Sequence, residues 1–121
     1  MNSEEFVQAV KKYAGDSAVK SVVTNLQNPP GRTPPASLVQ DSKWFSQLDE
    51  TNKAHVLSIA ARAADYALFG FFCIIDGARA AESGSEKGEF VITYHRGGIS
   101  QALNGPDVDL HDLYREVQLA F

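Results

Sequence analysis

The sequence predicts an α+β domain, predominantly helical, organised around one long central helix and carrying a single β-hairpin towards its C-terminal end. Three observations carry that reading. Residues 52–79, NKAHVLSIAARAADYALFGFFCIIDGAR, are the one stretch long and apolar enough for a central helix. Residues 90–103 alternate apolar and polar side chains about a Gly97-Gly98 turn. The segments before and after these carry apolar residues at steps of three and four, so the order is helices, hairpin, helix.

A chain of 121 residues with 44% hydrophobic side chains has the size and composition of one globular domain, 1–121. Fifteen acidic against eleven basic side chains leave a net charge of −4. The longest basic run is Lys11-Lys12, so the basic stripe of a nucleic-acid binder is missing. The first residues, MNSEEFVQAV, are acidic where a signal peptide is basic, and no apolar core follows them, which predicts a cytoplasmic protein. Cys73 has no second cysteine to pair with; between Phe72 and Ile74 it reads as a small buried apolar residue.

Taken in order, residues 3–14 place Phe6, Val10 and Tyr13 at helical spacing, with Glu4 and Glu5 in the first turn, where the helix dipole favours them. Gly15 is the expected stop, and Asp16 the cap of a second helix built on Val19, Val22, Val23 and Leu26. Residues 28–36, NPPGRTPPA, hold four of the five prolines and exclude helix and central strand, so they are a stiff connector. No two of these prolines are three apart, which leaves out the PxxP ligand pattern. Residues 37–40, SLVQ, fit a capping box; Trp44, Phe45 and Leu48 give the following short helix an apolar face before Asp49 restarts the chain.

In the central helix Val56, Ala60, Ala63, Ala64, Ala67, Phe71, Ile74 and Ile75 form a continuous stripe expected to face the core. The alanines would let another helix approach. From Tyr66 to Ile75 every face is apolar, and ten residues are too few for a bilayer, which takes about 20, so neighbouring elements are expected to cover them. Gly70 predicts a close contact, a kink or an end, and Asp76-Gly77 a second break, with the helix running at least to Ile75.

Residues 82–88, ESGSEKG, have the composition of an exposed loop. In the hairpin a tight turn sets Tyr94 opposite Gln101 and Ile92 opposite Leu103, giving a core side of Phe90, Ile92, Tyr94, Ile99 and Leu103. The other side carries Thr93, His95 and Ser100. Residues 104–106, NGP, make a turn, after which Asp107 or Asp109 caps a last helix with Leu110, Leu113, Tyr114, Val117 and Phe121 on one stripe. His111 and Asp112 fall off that stripe and are expected to be exposed.

Motifs for chemistry are few. The His111-Asp112 doublet resembles that of metal-dependent phosphohydrolases, but no further aspartate follows it, and a solvated first turn without metal is the expectation. Arg62 with Asp65, and Asp76 with Arg79, stand at i, i+3, where local ion pairs are expected. Asp76, Arg79, His95 and Arg96 would meet only if the hairpin crossed the end of the central helix; an arginine and histidine set there would suit an anionic ligand or a partner's charged side chain. No nucleophile elbow, phosphate loop, CxxC or HExxH is present, so no cofactor is expected.

Residues 69–77, FGFFCIIDG, and 110–114, LHDLY, resemble small bacterial proteins grouped as domains of unknown function, some of them similar to immunity proteins that neutralise toxins. That resemblance implies a bacterial cytosolic binding protein and assigns no residue a role. The expected function is a non-enzymatic protein-interaction module with a protein partner and neither nucleic acid nor membrane. The partner is expected on the hairpin face that carries Thr93, His95 and Ser100, and the alternative is a small enzyme or anion binder using Asp76, Arg79, His95 and Arg96.

Overall fold

The computed structural model describes residues 1–119, the side chain of Leu119 excepted; Phe121, expected on the last apolar stripe, lies outside the described residues. The elements in chain order are α1 (Ser3–Val10), a π-helical segment (Lys11–Asp16), α2 (Ser17–Gln27), α3 (Ala36–Ser46), α4 (Glu50–Ile75), β1 (Thr93–Arg96), β2 (Ile99–Ala102) and α5 (Leu110–Leu119). The architecture is α+β and mainly α, with a long central helix and a C-terminal hairpin, as the sequence predicts.

The N-terminal segment differs from its expectation. Asn2 caps α1 by accepting from the Glu5 amide at 2.8 Å, but no break follows at Gly15. The backbone stays helical through Asp16 and Ser17, so α1, the π segment and α2 run on without a turn. Gly15 is buried against α4, where an added Cβ would stand 2.8 Å from the Leu68 Cδ1. The glycine therefore permits close approach rather than ending the helix, and the wider π turn accommodates the shift in register. Asp16 caps nothing; its Oδ1 takes the Lys11 ammonium at 3.2 Å. Tyr13, expected on the packed stripe, is exposed.

Asn28 ends α2, and the proline connector leads into α3 two residues earlier than the capping-box reading requires. Pro35 occupies the cap position, its carbonyl accepting from Leu38 and Val39 at 3.1 and 3.2 Å, and Ser37 makes no cap bond. Ser42 donates to the Leu26 carbonyl at 2.8 Å and fastens α3 to the end of α2. Phe45 is buried, while Trp44 beside it is exposed.

Asp49 caps α4 through the Asn52 amide at 2.8 Å, and 26 residues of helix follow. The end is a Schellman motif. Gly77, at φ 77°, donates to Ile74 at 3.1 Å and Ala78 donates to Cys73 at 2.8 Å, so the helix closes at Ile75 and fixes Asp76 at its rim. Gly70 marks a close contact: a Cβ there would meet the folded-back Arg79 guanidinium at 2.6 Å.

The core is Val7 of α1, Phe72 of α4, and Leu110 and Tyr114 of α5, with Phe6 and Phe72 edge to face at 6.1 Å. Cys73 is buried, as expected. The orientation of α4 corrects the sequence reading. The π segment, α2 and α5 all lie against one side, which buries or half-buries Leu57, Ala61, Ala64, Asp65, Leu68 and Phe72. The packed side is centred about a quarter turn from the predicted core stripe, of which Val56, Ala60, Ala64, Ile74 and Ile75 are half-buried while Ala63, Ala67 and Phe71 face outward. The physical reason is that both sides of α4 are apolar enough to be buried, and two polar bonds decide between them: Asp65 accepts from the Tyr114 hydroxyl at 2.8 Å and, through its carbonyl, from Gln118 at 3.5 Å. Helix α4 is long and apolar enough to cross a membrane by length and composition alone, and only 17% of its most apolar window is buried.

Strands β1 and β2 pair antiparallel with Tyr94 opposite Gln101 and His95 opposite Ser100; the Leu103 amide extends the register by donating to Ile92 at 2.8 Å. Leu103 is buried and Ile92 and Tyr94 half-buried. Phe90 and Ile99, expected on the core side, are exposed: Ile99 stands beside the turn, at the end of the hairpin that does not pack, and Phe90 lies ahead of β1, outside the paired strands. Residues 82–88 are exposed throughout and free of regular structure.

Candidate functional site

Two features qualify as sites, and both follow from how α4 is held. The first is a cavity of about 750 Å³ beyond the C-terminal end of α4, walled by Ile75, Asp76 and Arg79, by Phe90 and Val91 ahead of the hairpin, and by Asn104 and Asp109 ahead of α5. Asn104 holds these walls together. Its buried side chain donates to the carbonyls of Ile75 at 3.3 Å and Phe90 at 2.7 Å and accepts from the Ile92 amide at 2.7 Å. A single amide thereby joins the end of α4 to the start of the hairpin.

Asp76 is the most deeply placed charged group of the cavity, its side chain 1% exposed. Because the Schellman turn fixes it at the rim of α4, its Oδ2 reaches the first turn of α5 and accepts from the His111 amide at 2.8 Å. The same oxygen lies 2.7 Å from His111 Nδ1. Asp76 thus caps α5 from another helix and places negative charge at its positive dipole end. Its second oxygen, Oδ1, is buried and without a hydrogen-bond partner. His111 also meets the Phe69 ring edge-on at 6.0 Å, while Arg115 covers that ring at 4.8 Å.

This corrects two expectations. His111 is 16% exposed rather than solvated, and Asp76 bonds His111 across the fold in place of a local pair with Arg79. Asp65 likewise serves Tyr114, and no salt bridge joins it to Arg62 among the described residues. Sequence spacing missed the Asp76–His111 pair because 35 residues separate its members. The available signal was the Asp76-Gly77 helix stop, which fixes where a carboxylate must point. Of the four residues that would meet if the hairpin crossed α4, Asp76 and Arg79 line the cavity, whereas His95 and Arg96 are not among its walls, and neither is Thr93. They stay on the exposed hairpin, where His95 Nδ1 and Ser100 Oγ bond at 2.6 Å.

The second feature is the outer face of α4. Ile59 is 61% exposed, Tyr66 67% and Phe71 48%, and the exposed alanines Ala63 and Ala67 lie between them. These residues stand at helical spacing along about 18 Å of the helix. A row of exposed apolar side chains of this kind is uncommon on a helix that meets only water.

Residues 69–77 and 110–114 lie against each other through Phe72 and Tyr114, whose rings are 5.4 Å apart, and through Asp76 and His111. Comparison of the chain with known protein families, with curated proteins and with solved structures finds no match.

Proposed function

We propose that this protein is a non-enzymatic interaction module that works through the outer face of α4, and that the chain occupying this face is a second copy of itself. The observation that carries the proposal is the row Ile59, Ala63, Tyr66, Ala67 and Phe71, exposed on the most apolar helix of the fold. Over residues 59–67 its order of large and small side chains is self-complementary. A two-fold axis through Ala63 would set Ile59 against Ala67 of the second copy and Tyr66 against Ala60 of the second copy, each bulky side chain over a small one. That arrangement suits an isologous, antiparallel helix pair with closely approaching backbones.

The hairpin face supports this reading less well. Its His95 and Ser100 are already bonded to each other, and its row is short and polar, whereas interface cores are depleted of charge and rich in aromatic side chains. The resemblance to immunity-type proteins is in keeping with a binding role.

Sedimentation velocity over the micromolar range tests the proposal. The wild type should sediment as a dimer, and the double variant Ile59→Glu, Tyr66→Glu as a folded monomer with unchanged helical circular dichroism. A monomeric wild type would overturn the reading. So would a wild type that stays monomeric in buffer and floats with liposomes, because lipid would then be the occupant.

A further inference from the structure

We propose that Asp76, Asp109 and His111 form a binding site for a divalent first-row transition metal at the wall of the cavity beside α4 and α5. Three donors of suitable chemistry converge there: one carboxylate oxygen of Asp76, one of Asp109 and one ring nitrogen of His111 lie within 4.8 Å of one another.

The independent observation is the state of Asp76. Its side chain is almost wholly buried, its Oδ2 is bonded twice by His111, and its Oδ1 is buried with no hydrogen-bond partner among the described residues. A carboxylate oxygen hidden from water and left bare is costly in a folded protein, and a cation in front of it removes the cost.

The donor set selects the class of ion. Two carboxylates balance a charge of two, and the imidazole favours zinc, manganese or iron over calcium and magnesium, which prefer oxygen throughout. In the tetrahedral arrangement usual for zinc, donors held at about 2.0–2.2 Å stand about 3.3–3.6 Å apart, so a spread of up to 4.8 Å closes with a shift of about an ångström. Asp109 can supply it, since it is exposed and precedes the helix. Asp76 and Asp109 both line the cavity, which gives an ion a route from solvent and leaves coordination positions open towards it.

The His111-Asp112 doublet is therefore not the unit. Asp112 lies outward, its side chain 61% exposed and its Oδ1 3.5 Å from His111 Nε2, and the second and third ligands come from Asp76 and Asp109.

Zinc alone, titrated into the full chain against a chromophoric chelator, tests the site. One equivalent should bind. Asp109→Asn should weaken it by about ten-fold or more, as loss of one of three protein ligands requires, with the fold intact by circular dichroism. Asp76→Asn should abolish it, while Asp112→Asn and His95→Ala leave it unchanged. Asp109→Asn decides the matter even where Asp76→Asn fails to fold. The proposal is overturned if the folded wild type binds no zinc, if Asp109→Asn binds it as tightly as the wild type, or if Asp112→Asn or His95→Ala weakens binding as much as Asp109→Asn does.

Discussion

Phe72 is fully buried against Val7, Leu110 and Tyr114, whereas Phe71, the residue before it, is 48% exposed on the outer face of α4. Phe72→Ala should therefore cost about 3–5 kcal/mol in denaturant titration. Phe71→Ala, measured in dilute solution, should cost less than about 1 kcal/mol. Equal losses would mean that α4 is turned differently from the orientation described. Tyr114 supplies a second residue-level test. Burial, and then the bond to Asp65, hold its phenol above the ordinary tyrosine value. The native state thus keeps a proton that the unfolded chain releases above pH ~10, so this contribution is intact below that pH and is lost as the pH rises towards the folded value. Tyr114→Phe removes the hydrogen bond, at a cost of about 0.5–1.5 kcal/mol near neutrality, and should flatten the alkaline loss. A variant whose stability falls as steeply with alkaline pH as the wild type would show that Tyr114 is not the group responsible.

At the scale of elements, much of the fold was legible. The length of α4, its cap at Asp49, its stop at Asp76-Gly77 and the register of the hairpin all follow from local chemistry in the sequence. The orientation of α4 was not legible, because an apolar helix offers two faces for burial and the choice rests on Asp65 and Tyr114, which are distant in sequence. Gly15 misled for a related reason: a glycine that ends a helix and one that admits a neighbour look alike until Leu68 is in place. The site was half legible. Asp76 and Arg79 were singled out, but the partner of Asp76 stands on α5, where a stripe analysis assigns His111 to solvent. Asn104 was read only as part of a turn. Its three hydrogen bonds tie α4 to the hairpin, so Asn104→Ala should cost about 2–3 kcal/mol, in line with buried groups losing their partner. Hydrogen exchange at the Ile92 amide should accelerate markedly in this variant. An unchanged rate would place the joint elsewhere.

For the whole molecule, the π segment, α2 and α5 gather on one side of α4 and leave Ile59, Tyr66 and Phe71 exposed on the other. Pairing of two copies about Ala63 is a claim about register as well as association, and disulfide trapping measures both. Helix axes about 8–10 Å apart bring facing Cα atoms to roughly 3.4–5.4 Å, inside the limit of about 7 Å for a disulfide. In a Cys73→Ser background, Ala63→Cys should cross-link to a dimer quantitatively under mild oxidation, while Ser58→Cys, exposed on the same helix but off the row, should remain monomeric. A monomeric Ala63→Cys, or a Ser58→Cys that cross-links equally well, would contradict the pairing.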